Sequence, residues 1–212
     1  MKDGHLTKDP VESNFIGVIF CKSAQIVFAY TALNGLEVYA ADIKSTCLQA
    51  PTSEKHCVIC DQEFPLEYWG CCAIIKKALY GGKSTGTGFW KHMRSCINHL
   101  GFAPCKVDPD VWMCLAKKDC DRSNYWEYVL LCMDDALCIS VNSKAVLKNE
   151  IGHYWKLKKG SIRPPTIYLG NKITKVVLEN IVSAWSFSSA QYVQEAVKNV
   201  ELHLQKNCTM LI

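Results

Sequence analysis

The sequence lacks a long hydrophobic run. No stretch of about 18 or more consecutive apolar residues occurs, so no membrane-spanning helix is predicted and a membrane partner is not expected. The first ten residues, MKDGHLTKDP, contain no apolar segment of the kind found in secretory signals, and we therefore expect an intracellular chain that is not secreted. Internal repeats and low-complexity segments are also missing, which excludes solenoid and fibrous architectures.

A strong excess of charge of either sign is missing as well. The 24 basic and 20 acidic residues give a formal net charge of +4, which permits a nucleic-acid partner without predicting one. Hydrophobic residues make up 49% of the chain and charged residues 21%, close to the averages for soluble globular proteins. A chain of 212 residues with this composition forms a core, in one domain of ordinary size or two small ones.

Cysteine, by contrast, is abundant, with 13 residues in the chain. In a reducing compartment we expect mostly free thiols, scattered through core and surface. Cys57 and Cys60 form a C-x-x-C pair, but Cys71 and Cys72 are adjacent and do not repeat that spacing. A structural zinc site is therefore a weaker alternative, and we predict no cluster of four cysteine ligands.

Hydrophobic periodicity predicts a mixed α+β domain over residues 15–205, between polar tails at 1–14 and 206–212. Residues 51–70 are predicted as loop, and residues 81–88 as a glycine-rich loop. The order strand, helix, two strands, helix, strand matches the βαββαβ pattern of ferredoxin-like sheets. The predicted helices are 15–32, 89–100, 144–156 and 190–204, and the predicted strands are 36–43, 72–79, 111–116, 125–133, 136–141, 166–169 and 185–187.

Three aspartates are expected at one edge of this sheet. Asp42 lies near the end of the first strand, and Asp134 and Asp135 occupy a tight hairpin turn. If the hairpin lies beside the first strand, the three carboxylates converge, which is costly unless a cation offsets their repulsion. Magnesium prefers such oxygen ligands, and two magnesium ions suit an in-line phosphoryl displacement. The alternative is an ordinary turn, where an Asp-Asp pair is common.

Several segments in consistent order resemble motifs of copia-type retrotransposon reverse transcriptases, over a span from about residue 13 to 204. They are YAADI at 39–43, KALYG at 77–81, LGF at 100–102, DPDVW at 108–112, MDD at 133–135 and PPTIYLG at 164–170. The resemblance implies a palm with partial fingers and RNA-directed DNA polymerase activity with two Mg²⁺ ions. It also implies an RNA/DNA primer–template and deoxynucleoside triphosphates as partners, and a cytoplasmic particle or the nucleus as location.

The resemblance also implies roles for individual residues. Asp42, Asp134 and Asp135 would be the catalytic residues and the metal ligands. Lys83 would lie near template and nucleotide, although a solvated loop lysine is an equally ordinary reading of that residue. The full set of implied substrate-binding residues is Cys47, Gly81, Lys83, Gly86 and Met133.

The chain departs from the family at functional positions. Cys47 stands where the family has Tyr or Phe, Cys132 where it usually has Tyr, and Gly82 where it usually has Leu. Near Cys21 and Gln25 related elements tend to carry Arg, which would contact phosphate. Such replacements remove functional side chains and spare the core, so we expect a decayed copy with weak or absent activity.

A hypothesis from another class is a non-catalytic nucleic-acid-binding module on a ferredoxin-like sheet. Such a module needs aromatic side chains exposed on strand faces, where bases can stack on them. Aromatic residues in strands more often belong to the core. The candidates are Trp112, Tyr125, Trp126 and Tyr128.

Overall fold

The computed structural model describes residues 17–80, 82, 84–178 and 183–208, which form a mixed α+β structure with antiparallel sheets. The strands are β1 (Glu37–Asp42), β2 (Pro51–Ile59), β3 (Cys72–Lys77), β4 (Ala103–Pro104), β5 (Val111–Lys117), β6 (Asn124–Cys132), β7 (Asp135–Ser140), β8 (Ile167–Tyr168), β9 (Asn171–Val177) and β10 (Ser183–Ser188). The helices are α1 (Cys21–Asn34), α2 (Thr46–Gln49), α3 (Thr85–His99), α4 (Ser143–Ala145), α5 (Gly152–Tyr154) and α6 (Ala190–Cys208), with a π-helical stretch (Val146–Ile151) joining α4 to α5.

The central sheet has five strands in the order β1-β7-β6-β5-β4. Strand β7 lies between β1 and β6 and is antiparallel to both, so β1 and β6 run parallel to each other. Helix α3 lies between β1 and β6 in the chain, together with the β2–β3 hairpin and strands β4 and β5. This is the split β-α-β order predicted from the sequence for the first half of the domain.

The last strand of the predicted βαββαβ order does not join the central sheet. Strands β8, β9 and β10 form a separate three-stranded sheet. Beside the edge strand β1, the described chain forms isolated bridges at Ala40–Arg163 and Ile43–Leu157. Pro164 and Pro165 follow directly and have no N–H to donate, so pairing along β1 cannot continue past Arg163.

Both faces of the central sheet are buried. Along β7, Ala136 and Cys138 belong to the core under α3, whereas Leu137 and Ile139 belong to the core under α1. Successive side chains of a strand point to opposite faces, so a strand covered on both sides is apolar throughout. The same alternation determines which face of the sheet Asp42 and Asp135 point towards.

Several element boundaries differ from the sequence prediction. Residues 51–70, predicted as loop, contain strand β2, which pairs with β3 in a two-stranded hairpin. Helix α3 begins at Thr85, inside the segment predicted as a glycine-rich loop, and α1 begins at Cys21 rather than at residue 15. Helix α6 continues to Cys208, past the predicted start of the C-terminal tail at residue 206. The N-terminal tail, 1–14, lies outside the described residues.

Candidate active site

A pair of carboxylates lies at one end of the central sheet. Asp42 is the last residue of β1 and Asp135 the first residue of β7, and the two are directly opposite each other across the strands. A side-chain hydrogen bond with Asp42 favours the protonated form of Asp135 and so raises its pKa. Lys158 Nζ lies 3.3 Å from Asp42 Oδ2, and the Lys158 backbone N–H donates to Asp42 O at 2.8 Å. The strand pairing thus holds two acids together beside one ammonium group.

The pKa of Asp135 lies well above that of an ordinary aspartate. Burial, the charges of Asp134 and Asp42 and a hydrogen bond with Asp42 together raise the pKa of Asp135 to about 6. The charge of Lys158 lowers that pKa but does not restore its ordinary value. Repulsion between two neighbouring carboxylates makes ionisation of the second one less favourable.

Asp134 occupies the turn between β6 and β7 and is not part of this pair. Its carbonyl oxygen accepts a hydrogen bond of 2.7 Å from Ile43 N–H, which fixes the turn against the end of β1. Met133, the preceding residue, has a left-handed backbone with φ of 50°. The Asp134 side chain lines a pocket beside α3.

Asp42 and Asp135 face each other across the strands, and the charge of Asp134 acts on Asp135 from the adjoining turn. Ala41 and Ala136 face the α3 core, so alternation turns their neighbours Asp42 and Asp135 to the opposite face. Asp134 lies on the α3 side of the turn. Within the described residues, no group of three or more His, Cys, Asp or Glu side chains is arranged to hold a metal ion.

The pocket beside Asp134 has a volume of about 190 Å³. Three of the five predicted substrate-binding residues, Cys47, Gly86 and Met133, line this pocket. The other two, Gly81 and Lys83, lie outside the described residues, in the segment that follows the pocket residue Tyr80. Apolar and aromatic side chains form most of the remaining wall, namely Phe89, Trp90, Met93 and Leu131.

Two cysteines at this site are neutral thiols. Burial raises the pKa of Cys47, and the charge of Asp134 raises it further. A hydrogen bond from the Tyr80 hydroxyl to the sulfur acts in the opposite direction. Burial also raises the pKa of Cys132, which is paired across the strands with Asp135. A thiol with a raised pKa is a poor nucleophile, so neither cysteine supports thiolate chemistry.

Two residues of this region were missed by the sequence reasoning. Lys158 lies in a lysine-rich stretch in which no spacing distinguishes it from its neighbours. Trp90 could have been found had the start of α3 been placed at Thr85. Gly86, Trp90 and Met93 then fall at i, i+4 and i+7 on one helical face, which is the face that lines the pocket.

Among the described residues, the other cysteines form no metal-binding cluster. The twelve cysteines whose side chains are described carry free thiols. On the β2–β3 hairpin, a hydrogen bond with Cys57 raises the pKa of Cys72, and the nearby charge of Cys60 adds to the increase. These thiols and Cys71 are not among any group able to bind a metal in the described part of the chain.

The strand aromatics expected for a base-stacking module are mostly internal. Trp112 is 2% exposed and Tyr125 is 5% exposed. Tyr128 packs edge-on against Tyr30 at 5.3 Å between ring centroids, and only Trp126, at 39%, reaches solvent substantially among the four. This arrangement does not favour a stacking surface on the sheet.

Over the ranges the structure describes, no helix is both long and apolar enough to cross a bilayer. A scan against models of protein families finds no match for this chain, and a search of curated proteins also finds none. The resemblance to copia-type reverse transcriptases therefore stays a hypothesis, which rests on its motifs.

Proposed function

We propose that this chain is a fragment of an RNA-directed DNA polymerase domain of the copia retrotransposon type, with weak or lost activity. The central sheet with α3 would be the palm, and the β2–β3 hairpin would be part of the fingers. One observation carries the proposal. Residues from separate sequence motifs lie together at one end of the central sheet. Asp42 is opposite Asp135, and Asp134 lines a pocket together with Cys47, Gly86 and Met133.

The donor set suits magnesium. Asp42 and Asp135 lie opposite each other, where a divalent cation would offset their repulsion, and Asp134 lies on the adjoining turn. Magnesium bound there would stabilise the attacking and leaving oxygens of nucleotide addition. Lys158 offsets the charge of Asp42 in the absence of the cation.

The pocket would receive part of a deoxynucleoside triphosphate, with the RNA/DNA primer–template at the same end of the sheet. Cys47 lies in the pocket where the family has an aromatic ring under the sugar, and Cys132 lies opposite Asp135. Catalysis of phosphoryl transfer depends on positioning around the metals, so the loss of two rings weakens it strongly. This is the reason for proposing a decayed polymerase.

Primer extension on an RNA template with magnesium and deoxynucleotides tests the proposal. Three proteins are compared: the wild type, Asp134→Asn as the blank, and Cys47→Tyr combined with Cys132→Tyr. We expect little or no Asp134-dependent synthesis by the wild type and a clear rise in the double variant. Absence of synthesis in every protein would overturn the proposed function, and so would synthesis that persists in Asp134→Asn. Robust synthesis by the wild type would show that polymerase activity has not been weakened or lost.

A further inference from the structure

Trp90 lines the pocket beside Asp134 and is fixed by two neighbouring side chains. Its indole Nε1–H donates a hydrogen bond of 2.9 Å to Asp110 Oδ1. The guanidinium of Arg94 lies 4.3 Å from the centre of the indole ring and 5.2 Å from the centre of the Trp112 ring. Arg94 also lies 3.8 Å from Asp110 Oδ1, so the cation, the carboxylate and the indole form one connected cluster.

Asp110 is a rigid anchor for this cluster. It is 2% exposed, and its backbone carbonyl accepts a hydrogen bond from Leu131 N–H at 3.2 Å, on the strand that leads into the Asp134 turn. A Cβ at Gly17 would lie only 2.1 Å from Asp110 Oδ2, so the segment before α1 packs directly on this carboxylate. Asp110, whose carboxylate accepts the Trp90 hydrogen bond, is therefore held in place by strand β6, by the segment before α1 and by Arg94 of α3.

The volume of the pocket and the side chains that line it indicate which kind of ligand would fit. A volume of about 190 Å³ is below the roughly 300–1,000 Å³ of pockets that enclose a whole drug-sized ligand, so one ring system fits and a whole nucleotide does not. Phe89, Met93 and Leu131 make the wall apolar, and Trp90 adds a large aromatic surface of fixed orientation. Asp134 is the ionisable carboxylate at the rim, beside the acid pair.

We propose that Trp90 is a stacking platform for the base of a nucleotide, and that Asp110 and Arg94 are positioning residues that hold its indole. The sugar and phosphates then extend from the pocket towards Asp134 and the Asp42–Asp135 pair. Bases stack favourably on aromatic side chains whatever their identity, so the platform is tolerant of sequence. This inference rests on the proposed function, whose substrate it places in the pocket.

The indole N–H signals of the six tryptophans in a ¹⁵N-labelled sample provide the test. Trp90→Leu identifies the Trp90 signal by its loss, and circular dichroism checks that this variant is folded. Deoxyadenosine and dATP are titrated separately, because the nucleoside has no phosphates and needs no metal. The matched control is Trp126→Phe, on β6, whose side chain is 39% exposed and does not line the pocket.

We expect deoxyadenosine to shift the Trp90 signal, with affinity weakened about tenfold in Trp90→Leu and unchanged in Trp126→Phe. Arg94→Met should weaken binding severalfold, and Arg94→Lys should recover much of it because an ammonium also stabilises an aromatic face. A role in packing alone would not distinguish Met from Lys in this way. A silent Trp90 signal, or equal affinity in Trp90→Leu, would overturn the inference.

The two proposals fail separately. Primer extension by a protein whose Trp90 signal does not respond to nucleoside would refute the platform and leave the polymerase function standing. A Trp90 response in a protein with no Asp134-dependent synthesis, even after Cys47→Tyr and Cys132→Tyr, would support the platform and refute the polymerase function.

Discussion

Replacing Asp135 by Asn should stabilise the folded protein at pH 8. Asp135 faces Asp42 across the strands, and its pKa is about 6 in the folded protein against an ordinary value of 3.8. At pH 8 the carboxyl is ionised in both states, and in the folded state this charge is opposed by partial burial and by neighbouring carboxylates. The Asn side chain is neutral, like the protonated acid, so the cost of burying the charge and the repulsion from neighbouring carboxylates are both removed.

The size of the effect follows from the same pKa difference. A difference of about two pKa units is worth about 3 kcal/mol. Because Asp135 is only partly shielded and much of the residue contacts solvent, screening reduces this figure, and we expect a gain of about 1 kcal/mol. The folded state binds the Asp135 proton more tightly than the unfolded chain does, so the contribution of Asp135 to stability is greatest below about pH 4 and is lost as the pH rises through about 6. In Asp135→Asn this pH-dependent loss of stability should be absent.

Urea unfolding of both proteins without divalent cations, at several pH values from 4 to 8, measures the effect. The gain in Asp135→Asn should be near zero at pH 4 and fully developed above pH 6. Glu37→Gln is the control, since it removes an exposed carboxylate from the neighbouring strand β1 at a position opposite Ser140 of β7. If Asp135→Asn lowers stability more at pH 8 than at pH 4, the carboxylate pair is not repulsive and the reasoning is wrong.

Three further predictions concern the surroundings of the site. Arg94→Met should lower the free energy of unfolding by about 2 kcal/mol in urea, because buried Asp110 loses a cation, and part of this loss should vanish when Asp110 is also replaced by Asn. If primer extension is detectable, Cys47→Tyr should increase the preference for deoxy- over ribonucleotides; an unchanged ratio would show that Cys47 is not at the sugar. Lys158→Met should raise the pKa of Asp135 above about 6 in an NMR titration, and an unchanged pKa would refute the ion-pair account.

Four of the five strands of the central sheet, all but the short edge strand β4, could be predicted because they are rich in β-branched, aromatic and other apolar residues. Such strands have a strong pattern of their own, as 125–133 and 136–141 illustrate. The β2 strand was missed because it belongs to a two-stranded hairpin whose partner β3 is largely exposed. Without a buried face, the sequence has no alternation to indicate a strand.

The arrangement of the aspartates was only partly predictable. A turn at Asp134-Asp135 was expected, but the turn is Met133-Asp134 and Asp135 already belongs to β7. Met133 adopts a left-handed backbone that is uncommon for a large non-glycine residue, so turn propensity does not indicate it. A shift of one residue along a strand reverses the face of each side chain. Because of that shift, Asp135 and not Asp134 is the residue directly opposite Asp42.

Binding of Mn²⁺, a paramagnetic substitute for Mg²⁺, tests the proposed cation site most directly. Electron paramagnetic resonance measures free Mn²⁺ in titrations of the wild type, Asp42→Asn, Asp135→Asn and Glu37→Gln, and it needs no polymerase activity. We predict binding by the wild type and by Glu37→Gln, with affinity at least about tenfold weaker when either member of the pair is neutral. Equal affinity in all four proteins, or no binding by the wild type, would contradict a cation site at Asp42 and Asp135.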